Sequence, residues 1–266
     1  MSPSQSVEAR SAVVHFAPHP DDELIGAPAT LMALRDAGHT ILNVACSLGR
    51  QVDHDRRRAE LTEACMRAGF ELLIPDDLPE LESGSDPAAA HGELTTLVAS
   101  VLAIRSCVYV VSPSPHDGHP AHEVVGRAVR DALVRMPAPP IWGMWGLWSD
   151  LPLPNVYIAF DEARLAEIRE ALAAHAGEID RNDYAALLET RASMNAVLGL
   201  ERVFGFGAAG DGTRYAELLT EVLYDGNRWV RTPPARFPQL GVVSGSEAID
   251  EWLYRRSDRE LLVSGR

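Results

Sequence analysis

The sequence predicts an α/β fold, built as a mostly parallel sheet with helices on both faces and extended by a C-terminal elaboration. Short apolar runs alternate with amphipathic segments over residues 12–200, and the first two helical segments end at a glycine, which favours a helix C-terminus. With 266 residues and 46% apolar residues, the chain is within the size of one large α/β domain. We expect a single domain over residues 1–266, with its sheet core in 12–200 and the elaboration in 201–266.

The predicted strands are short apolar runs bounded by turn residues or by helical patterns. They cover residues 12–17, 40–46, 70–75, 107–113, 141–145 and 156–160. Because helical segments separate most of them, neighbouring strands are expected to run parallel.

The predicted helices carry apolar residues at intervals of three and four positions. They cover residues 20–38, 55–69, 93–105, 119–136, 162–176 and 184–199. Residues 76–92 are polar and turn-rich, which predicts a loop, and residues 1–11 predict a disordered tail. The residues from 227 onward give no clear assignment.

The charge and the cysteines argue against several classes of protein. A net charge of −14 repels nucleic acid and anionic membranes at long range, so neither is expected as a partner. No run is predicted to span a membrane, and the N-terminal residues lack the apolar core of a signal peptide, so we expect a cytoplasmic protein. Cys46, Cys65 and Cys107 form no CxxC pair, which argues against a disulfide framework or a thiolate zinc site. The sequence does not predict the oligomeric state.

The first candidate site is PHPDDE, residues 18–23, directly after the first predicted strand. Ligands of open parallel sheets bind beyond the carboxyl ends of the strands. On a helical start His19 and Asp22 share a face, so a nitrogen and an oxygen ligand can reach one zinc ion while Asp21 stays free beside it. One alternative is that the acids only complement a helix dipole. Another is a magnesium site for phosphoryl transfer, although such sites seldom use histidine.

The second candidate site is SPSPHDGHPAH, residues 112–122, which also follows an apolar strand and opens a helix. His119 and His122 repeat the spacing of three. If the two strands are neighbours, His19, Asp22 and His122 supply three ligands, and two groups remain for chemistry. Three protein ligands with an open fourth position are typical of catalytic zinc.

These residues resemble the PIG-L/LmbE-like family of zinc-dependent N-acetylglucosamine deacetylases. Residues 19–23 match the family's histidine–proline–aspartate–aspartate–glutamate pattern, and residues 119–122 match its later histidine–proline–x–histidine. The resemblance implies a Rossmann-like fold over most of the predicted core. Pro18 and Ala121 depart from the usual family residues without touching a predicted ligand. A serine–glutamine that usually follows a later histidine is absent after His175, which we expect to face the core.

The resemblance also implies roles for the site residues. Zinc (Zn²⁺) would be held by His19, Asp22 and His122. Asp21 would be the general base on the attacking water, and a protonated His119 would stabilise the oxyanion. The chain is most similar to deacetylases of glycopeptide-antibiotic pathways of the teicoplanin type, which implies an N-acetylglucosaminyl pseudoaglycone as the small-molecule substrate. A small N-acetylglucosaminyl conjugate, such as a thiol-pathway sugar–inositol, is the alternative, since it would use the same metal ligands.

Three tryptophans lie close together in IWGMWGLWSD, residues 141–150. Trp142, Trp145 and Trp148 are predicted to form an apolar lip for a large aromatic aglycone. The alternative is that they belong to the core or to a contact with a second domain.

Two further residues are candidates for the site. Arg57 either contacts a substrate hydroxyl or pairs with Glu60 one turn along its helix. Asp117 either accepts a hydrogen bond from a ligand histidine or only forms a turn.

Two other classes of function compete with a deacetylase. A nucleotide-binding module would need a glycine-rich first turn, whereas this chain has acids there, which repel a pyrophosphate. A metal-binding protein without catalysis would need neither Asp21 nor His119.

Overall fold

A nine-stranded sheet forms the centre of the part of the chain that the computed structural model describes, which is residues 12–81, 86–241, 243–245 and 247–257. The tail predicted for residues 1–11 lies outside this part. The strands are β1 Ala12–Ala17, β2 Thr40–Ala45, β3 Glu71–Leu73, β4 Cys107–Pro113, β5 Ile141–Trp145, β6 Val156–Phe160, β7 Tyr215–Tyr224, β8 Trp229–Arg231 and β9 Glu247–Ala248.

The sheet is parallel in its first half and antiparallel in its second. Its order is β3-β2-β1-β4-β5-β7-β8-β9, with β6 also paired to β7. Strands β1 to β5 pair in parallel, and β7 is antiparallel to β5, β6 and β8. The chain leaves β1 towards β2 on one side and returns to β4 on the other. The carboxyl ends of β1 and β4 therefore border the crevice where open α/β sheets bind ligands.

Helices cover both faces of the sheet, as predicted. They are α1 Asp22–Ile25, α2 Pro28–Asp36, α3 His54–Ala68, α4 Pro87–Ile104, α5 Pro120–Leu133, α6 Glu162–Leu172, α7 Ala176–Ile179, α8 Tyr184–Phe204 and α9 Asp250–Tyr254. One apolar core lies between the sheet and α2, α3, α6 and α8. A second lies between the sheet and α4, α5 and α9, and a smaller third lies between α8 and strands β6 and β7.

The first predicted helix, residues 20–38, is in fact two helices. Helix α1 ends at Ile25 and α2 starts at Pro28, because a proline ring and its missing N–H favour a helix start over a helix interior. At the break, a Cβ atom on Gly26 would lie 2.6 Å from the indole of Trp145. The break thus lets the backbone approach a buried aromatic ring below the candidate site.

Helix α4 begins earlier than predicted. Residues 87–92 were predicted as loop, but Asp86 caps the helix by accepting a hydrogen bond from the backbone N–H of Ala88 at 2.9 Å. Aspartate followed by proline is a typical helix N-terminus, and this signal outweighs the polar composition.

Helix α4 also departs from the expectation that no segment could span a membrane. By length and composition alone it is long and apolar enough to do so, and it is the only such helix among the described residues. Its buried face, which includes Leu94, Val98 and Val101, belongs to the core shared with α5. A core helix passes the same test of length and composition, so α4 is weak evidence for a membrane segment.

Candidate metal centre and active site

The two histidine motifs meet at one edge of the sheet. His19 follows β1 at its carboxyl end, and His119 and His122 stand at the start of α5, after β4. Strands β1 and β4 are parallel neighbours, so residues a hundred positions apart become adjacent. The prediction that the two strands are neighbours is therefore confirmed.

A compact cluster of possible metal ligands results. The ring nitrogens of His19, His119 and His122 lie within 4.8 Å of one another. Oδ2 of Asp22 is 3.3 Å from Nδ1 of His19 and 3.4 Å from Nε2 of His122. Two ligand sets of three residues are thus possible, since His19 and His122 can combine with either Asp22 or His119.

His122 has the environment of a metal-binding histidine. It is buried, and its Nδ1 lies 2.7 Å from Oδ2 of Asp117, which leaves Nε2 directed at the cluster. Burial alone would lower the pKa of His122, but the carboxylates of Asp22 and Asp117 outweigh it and raise the pKa to about 10. A carboxylate behind one ring nitrogen fixes the orientation of the imidazole and strengthens the other nitrogen as a ligand.

The donor set fits a divalent metal ion. It combines imidazole nitrogens, which give up a proton when they bind a metal, with one carboxylate oxygen, and this is the chemistry of catalytic zinc sites. Burial would raise the pKa of Asp22, but the neighbouring imidazoles of His122 and His19 lower it below the usual aspartate value. The carboxylate of Asp22 is therefore kept in the charged form that binds a cation.

Asp21 lies beside this cluster in an unusual backbone conformation. Its φ is 113°, and it is buried while lining the same cleft as the histidines. Burial, followed by the charges of Asp22 and Glu23, raises the pKa of Asp21 well above its usual value. A divalent cation in the cluster would act in the opposite direction. A carboxyl group whose pKa is pushed upwards beside a metal site is suited to take up a proton.

Glu23 and His175 form a buried pair that sequence reasoning did not find. His175 Nε2 is 2.6 Å from Oε1 of Glu23, and neither side chain is exposed to solvent. The other oxygen of Glu23 accepts the backbone N–H of Asp21 at 3.1 Å. His175 does face the interior as predicted. It also contacts Glu23, the residue that binds the backbone N–H of Asp21. No spacing signal links residues 152 positions apart.

A cleft of about 550 Å³ opens above the cluster. It is lined by residues of both motifs, namely His19, Asp21, Asp22, His119, Pro120 and His122. Residues from other segments, including Arg50, Arg57, Trp148, Arg181 and Tyr184, complete the lining. Of these other residues, only Arg57 and Trp148 were predicted.

The predicted tryptophan lip is wrong for two of its three members. Trp142 and Trp145 are buried, whereas 61% of Trp148 is exposed. Trp142 donates to Oγ of Ser112 at 2.8 Å inside the core, and Trp145 packs edge-on against His122 at 5.2 Å between ring centroids. The alternation of side chains along β5 turns Trp142 to one face of the sheet, and Trp145 fills the space beneath the cluster. Only Trp148, with its ring 5.3 Å from that of His119, borders the cleft.

Arg57 is held by an acid other than the predicted one. It pairs with Glu178 at 2.8 Å, while Glu60 pairs with Arg56 at 2.7 Å. Arg56 and Glu60 are four residues apart, the usual spacing of helix ion pairs. Arg57 still lines the cleft, so its predicted contact with substrate remains a prediction.

The comparisons with known proteins agree with this site. A family model described as "PIG-L: GlcNAc-PI de-N-acetylase" matches residues 14–133, just under half of the chain and including both histidine motifs. No curated protein matches the sequence significantly.

Several solved structures have a similar fold. A zinc-inhibited form of teicoplanin deacetylase Orf2 is 14% identical over 84% of this chain and 99% of that chain, with a TM-score of 0.60. N,N'-diacetylchitobiose deacetylase from Pyrococcus horikoshii is 17% identical over 80% and 84%, with a TM-score of 0.57. GalB, the 4-carboxy-2-hydroxymuconate hydratase from Pseudomonas putida KT2440, is 14% identical over 80% and 97%, with a TM-score of 0.63. At these identities the likeness shows the fold alone.

The match to the family model and the composition of the site point to the same chemistry. They support a relation of this chain to the PIG-L family and an N-acetylglucosamine-type deacetylase activity. The chain is a metal-dependent N-deacetylase.

Proposed function

We propose that this N-deacetylase uses zinc to hydrolyse the acetamide of an N-acetylglucosaminyl group on a glycopeptide pseudoaglycone of the teicoplanin type, releasing acetate and a free amine. The observation that carries the proposal is the position of Asp21 in the cleft beside the cluster of His19, His122 and Asp22. An amide hydrolase needs a base for water, a polarising group for the carbonyl and an acid for the leaving amine.

We assign the base to Asp21 and the oxyanion contact to His119. Asp21 takes a proton from the attacking water, and an N–H of His119 donates a hydrogen bond to the carbonyl oxygen as it becomes negative. The proton then passes to the leaving nitrogen as the C–N bond breaks, so that acetate and an amine remain. When bound, zinc would supply Lewis acidity and would make water easier to deprotonate. His19, His122 and Asp22 would hold it, and Asp117 keeps His122 in orientation.

The cleft supports a large substrate with an apolar part. The exposed indole of Trp148 stands at the cleft beside His119, and a flat aromatic surface next to the reacting group suits an aromatic aglycone. Four of the similar structures are described as deacetylases of teicoplanin or of its biosynthesis pathway, and one as an A40926 pseudoaglycone deacetylase. These descriptions belong to those proteins, and they make the same class of substrate the first to test.

Acetate release tests the proposal directly. The substrates are an N-acetylglucosaminyl glycopeptide pseudoaglycone and a small N-acetylglucosaminyl–inositol, each assayed with and without a chelator. We expect fast, chelator-sensitive release from the glycopeptide. Release from the small conjugate alone would retain the deacetylase and reject the glycopeptide. A metal-loaded protein that released acetate from neither would contradict the proposed substrate class.

A further inference from the structure

The segment that carries Trp148 is held from two sides by charged side chains. This segment, residues 146–151, follows β5 and is here called the Trp148 loop. Its backbone N–H groups face Asp117, and its carbonyl groups face two arginines of α8. The same peptide groups are therefore bound by charged side chains on both their N–H and their carbonyl sides.

Asp117 holds the N–H side. Its Oδ1 accepts the backbone N–H groups of Leu147 and of Trp148, the latter at 3.1 Å. Its Oδ2 lies 2.7 Å from Nδ1 of His122. Asp117 is only 1% exposed, so one buried carboxylate joins the Trp148 loop to the metal cluster.

Arg191 holds the carbonyl side of the same peptide groups. Its guanidinium donates to the carbonyl oxygen of Leu147 at 2.8 Å and also to that of Gly146. Burial lowers the pKa of Arg191, and it forms no ion pair at contact distance with any side chain in the described ranges. A guanidinium that is largely removed from water and bonded to neutral carbonyls carries a desolvation cost. The hydrogen bonds that Arg191 donates to the loop must offset this free-energy cost.

Small residues bring the loop close to the second histidine motif. A Cβ atom on Gly118 would lie 2.6 Å from Oγ of Ser149. A Cβ atom on Gly146 would lie 3.0 Å from the carbonyl oxygen of Ser149. Because so little space is left, the hydrogen bonds of Asp117 and Arg191 to the loop backbone define one conformation of the loop.

We infer that Arg191 is a positioning residue for substrate recognition: it fixes the Trp148 loop against Asp117 and so sets the place of the Trp148 indole beside His119. The two terminal nitrogens of the guanidinium bind two successive carbonyl groups, and a lysine ammonium lacks this planar fork. The effect on substrate affinity rests on the proposed function, whereas the effect on the loop does not.

Hydrogen exchange of the metal-loaded protein tests the loop itself. In Arg191→Gln the amides of Leu147 and Trp148 should exchange at least about tenfold faster, because two charge-assisted hydrogen bonds are lost. Arg202→Gln is the matched control, since Arg202 lies on the same helix but binds the carbonyl of Leu151 and the carboxylate of Asp150. It should speed exchange only at the far end of the loop. Unchanged protection of Leu147 and Trp148 in Arg191→Gln would overturn the inference.

Kinetics tests the consequence for the substrate. Arg191→Gln should raise KM for the glycopeptide about tenfold with kcat changed less, and it should leave KM for a small N-acetylglucosaminyl conjugate unchanged. Trp148→Ala should give the same rise, and adding Arg191→Gln to it should change KM little further. Arg191→Lys keeps the charge and should restore only part of the affinity. Full restoration by lysine, or additive effects of the two substitutions, would contradict a role in placing Trp148.

These outcomes separate the two proposals. If the glycopeptide proves not to be a substrate, the exchange rates of Leu147 and Trp148 still decide whether Arg191 positions the loop. If Arg191→Gln is too unstable to purify, Arg191→Lys gives the same exchange readout, with an expected smaller increase.

Discussion

Asp21 is the one non-glycine among the described residues with a positive φ. Such a backbone conformation costs of the order of 1–3 kcal/mol and persists only where the surroundings enforce it. Here Glu23 accepts the N–H of Asp21, and α1 starts at the next residue. The strain turns the Asp21 carboxyl group into the cleft while Asp22 faces the histidines.

The role of Asp21 is tested by Asp21→Asn. Asparagine tolerates a positive φ about as well as aspartate, so the fold and the bound metal should be retained. Loss of the base should lower kcat by about 10²–10⁴-fold. The measurements are metal content by mass spectrometry and acetate release. Normal turnover by a variant that retains its metal would reject Asp21 as the base.

The buried pair of Glu23 and His175 leads to a prediction about stability. His175→Ala leaves the Glu23 carboxylate buried without its partner, which should lower the free energy of unfolding by about 3–5 kcal/mol. His91→Ala is a matched control, because His91 pairs with Asp131 at 3.1 Å where both side chains are partly exposed. The control should lose no more than about 1 kcal/mol. Urea unfolding measures both values. Equal losses would mean that burial of the Glu23–His175 pair does not increase its contribution to the free energy of unfolding.

Sequence reasoning at this scale succeeded where a pattern was local. The spacing of three residues in each motif correctly paired His19 with Asp22 and His119 with His122, and the position of both motifs at strand ends brought the two pairs into one cluster. It failed for Trp142 and Trp145, because helices cover both faces of the sheet and β5 therefore buries the side chains on both of its sides. The contacts of Arg57 also depend on Glu178, which lies far along the chain.

At the scale of elements, the sequence did not predict strand β7. Its ten residues pair with β5, β6 and β8, and the run YAELLTEVLY contains two glutamates that obscure its strand pattern. Both are buried, and each has a partner elsewhere in the fold. Glu217 accepts the N–H groups of Ala29 and Thr30 at 2.6 and 2.8 Å, so it caps the first turn of α2 from 187 positions away.

Glu217 should make stability depend on pH. Burial raises its pKa from 4.5 to about 7, and the hydrogen bonds from Ala29 and Thr30 only partly oppose this. The folded state therefore holds a proton that the unfolded chain releases near pH 4.5. The stability that this retained proton contributes is fully present below pH 4.5, and it is lost as the pH rises to about 7. At 1.36 kcal/mol per pKa unit, the loss is about 3 kcal/mol.

Glu217→Gln isolates this effect, because glutamine does not titrate. The free energy of unfolding of the unchanged protein should fall between pH 4.5 and 7 by about 3 kcal/mol more than that of the variant. Urea unfolding at several pH values gives the difference. Parallel pH profiles would show that Glu217 is already ionised in the folded protein.

At the scale of the whole molecule, the metal cluster exists only when β1 and β4 are side by side. Its residues come from two motifs about a hundred positions apart, and α2, β2, α3, β3, α4 and β4 lie between them in the chain. The unfolded chain therefore offers no preformed site, and binding of a metal contributes directly to the free energy of folding. The sequence could predict this site because both motifs stand at strand ends. It could not predict how the Trp148 loop is held, because Asp117 lies in the turn before α5 and Arg191 lies on α8.

Metal binding should consequently raise the melting temperature. With free zinc at about 100 times its dissociation constant, the native state gains about 2.7 kcal/mol. For a protein of this size, that corresponds to about 5–10 °C. Differential scanning calorimetry of the chelated protein, with and without added zinc, measures the shift. His122→Ala should abolish it, and His54→Ala should retain it, because His54 bonds to the Gly49 carbonyl outside the cluster.

The same experiment distinguishes the two ligand sets. If Asp22 completes the set, Asp22→Ala should abolish the shift, and His119→Ala should keep most of it while losing activity. If His119 is the third ligand instead, His119→Ala should abolish the shift. We expect the first result, because Oδ2 of Asp22 lies within 3.4 Å of ring nitrogens of both His19 and His122 and its carboxylate is held in the charged form. A shift that survived in His122→Ala would mean that the stabilising zinc binds elsewhere, and the cluster would lose its assignment as the metal site.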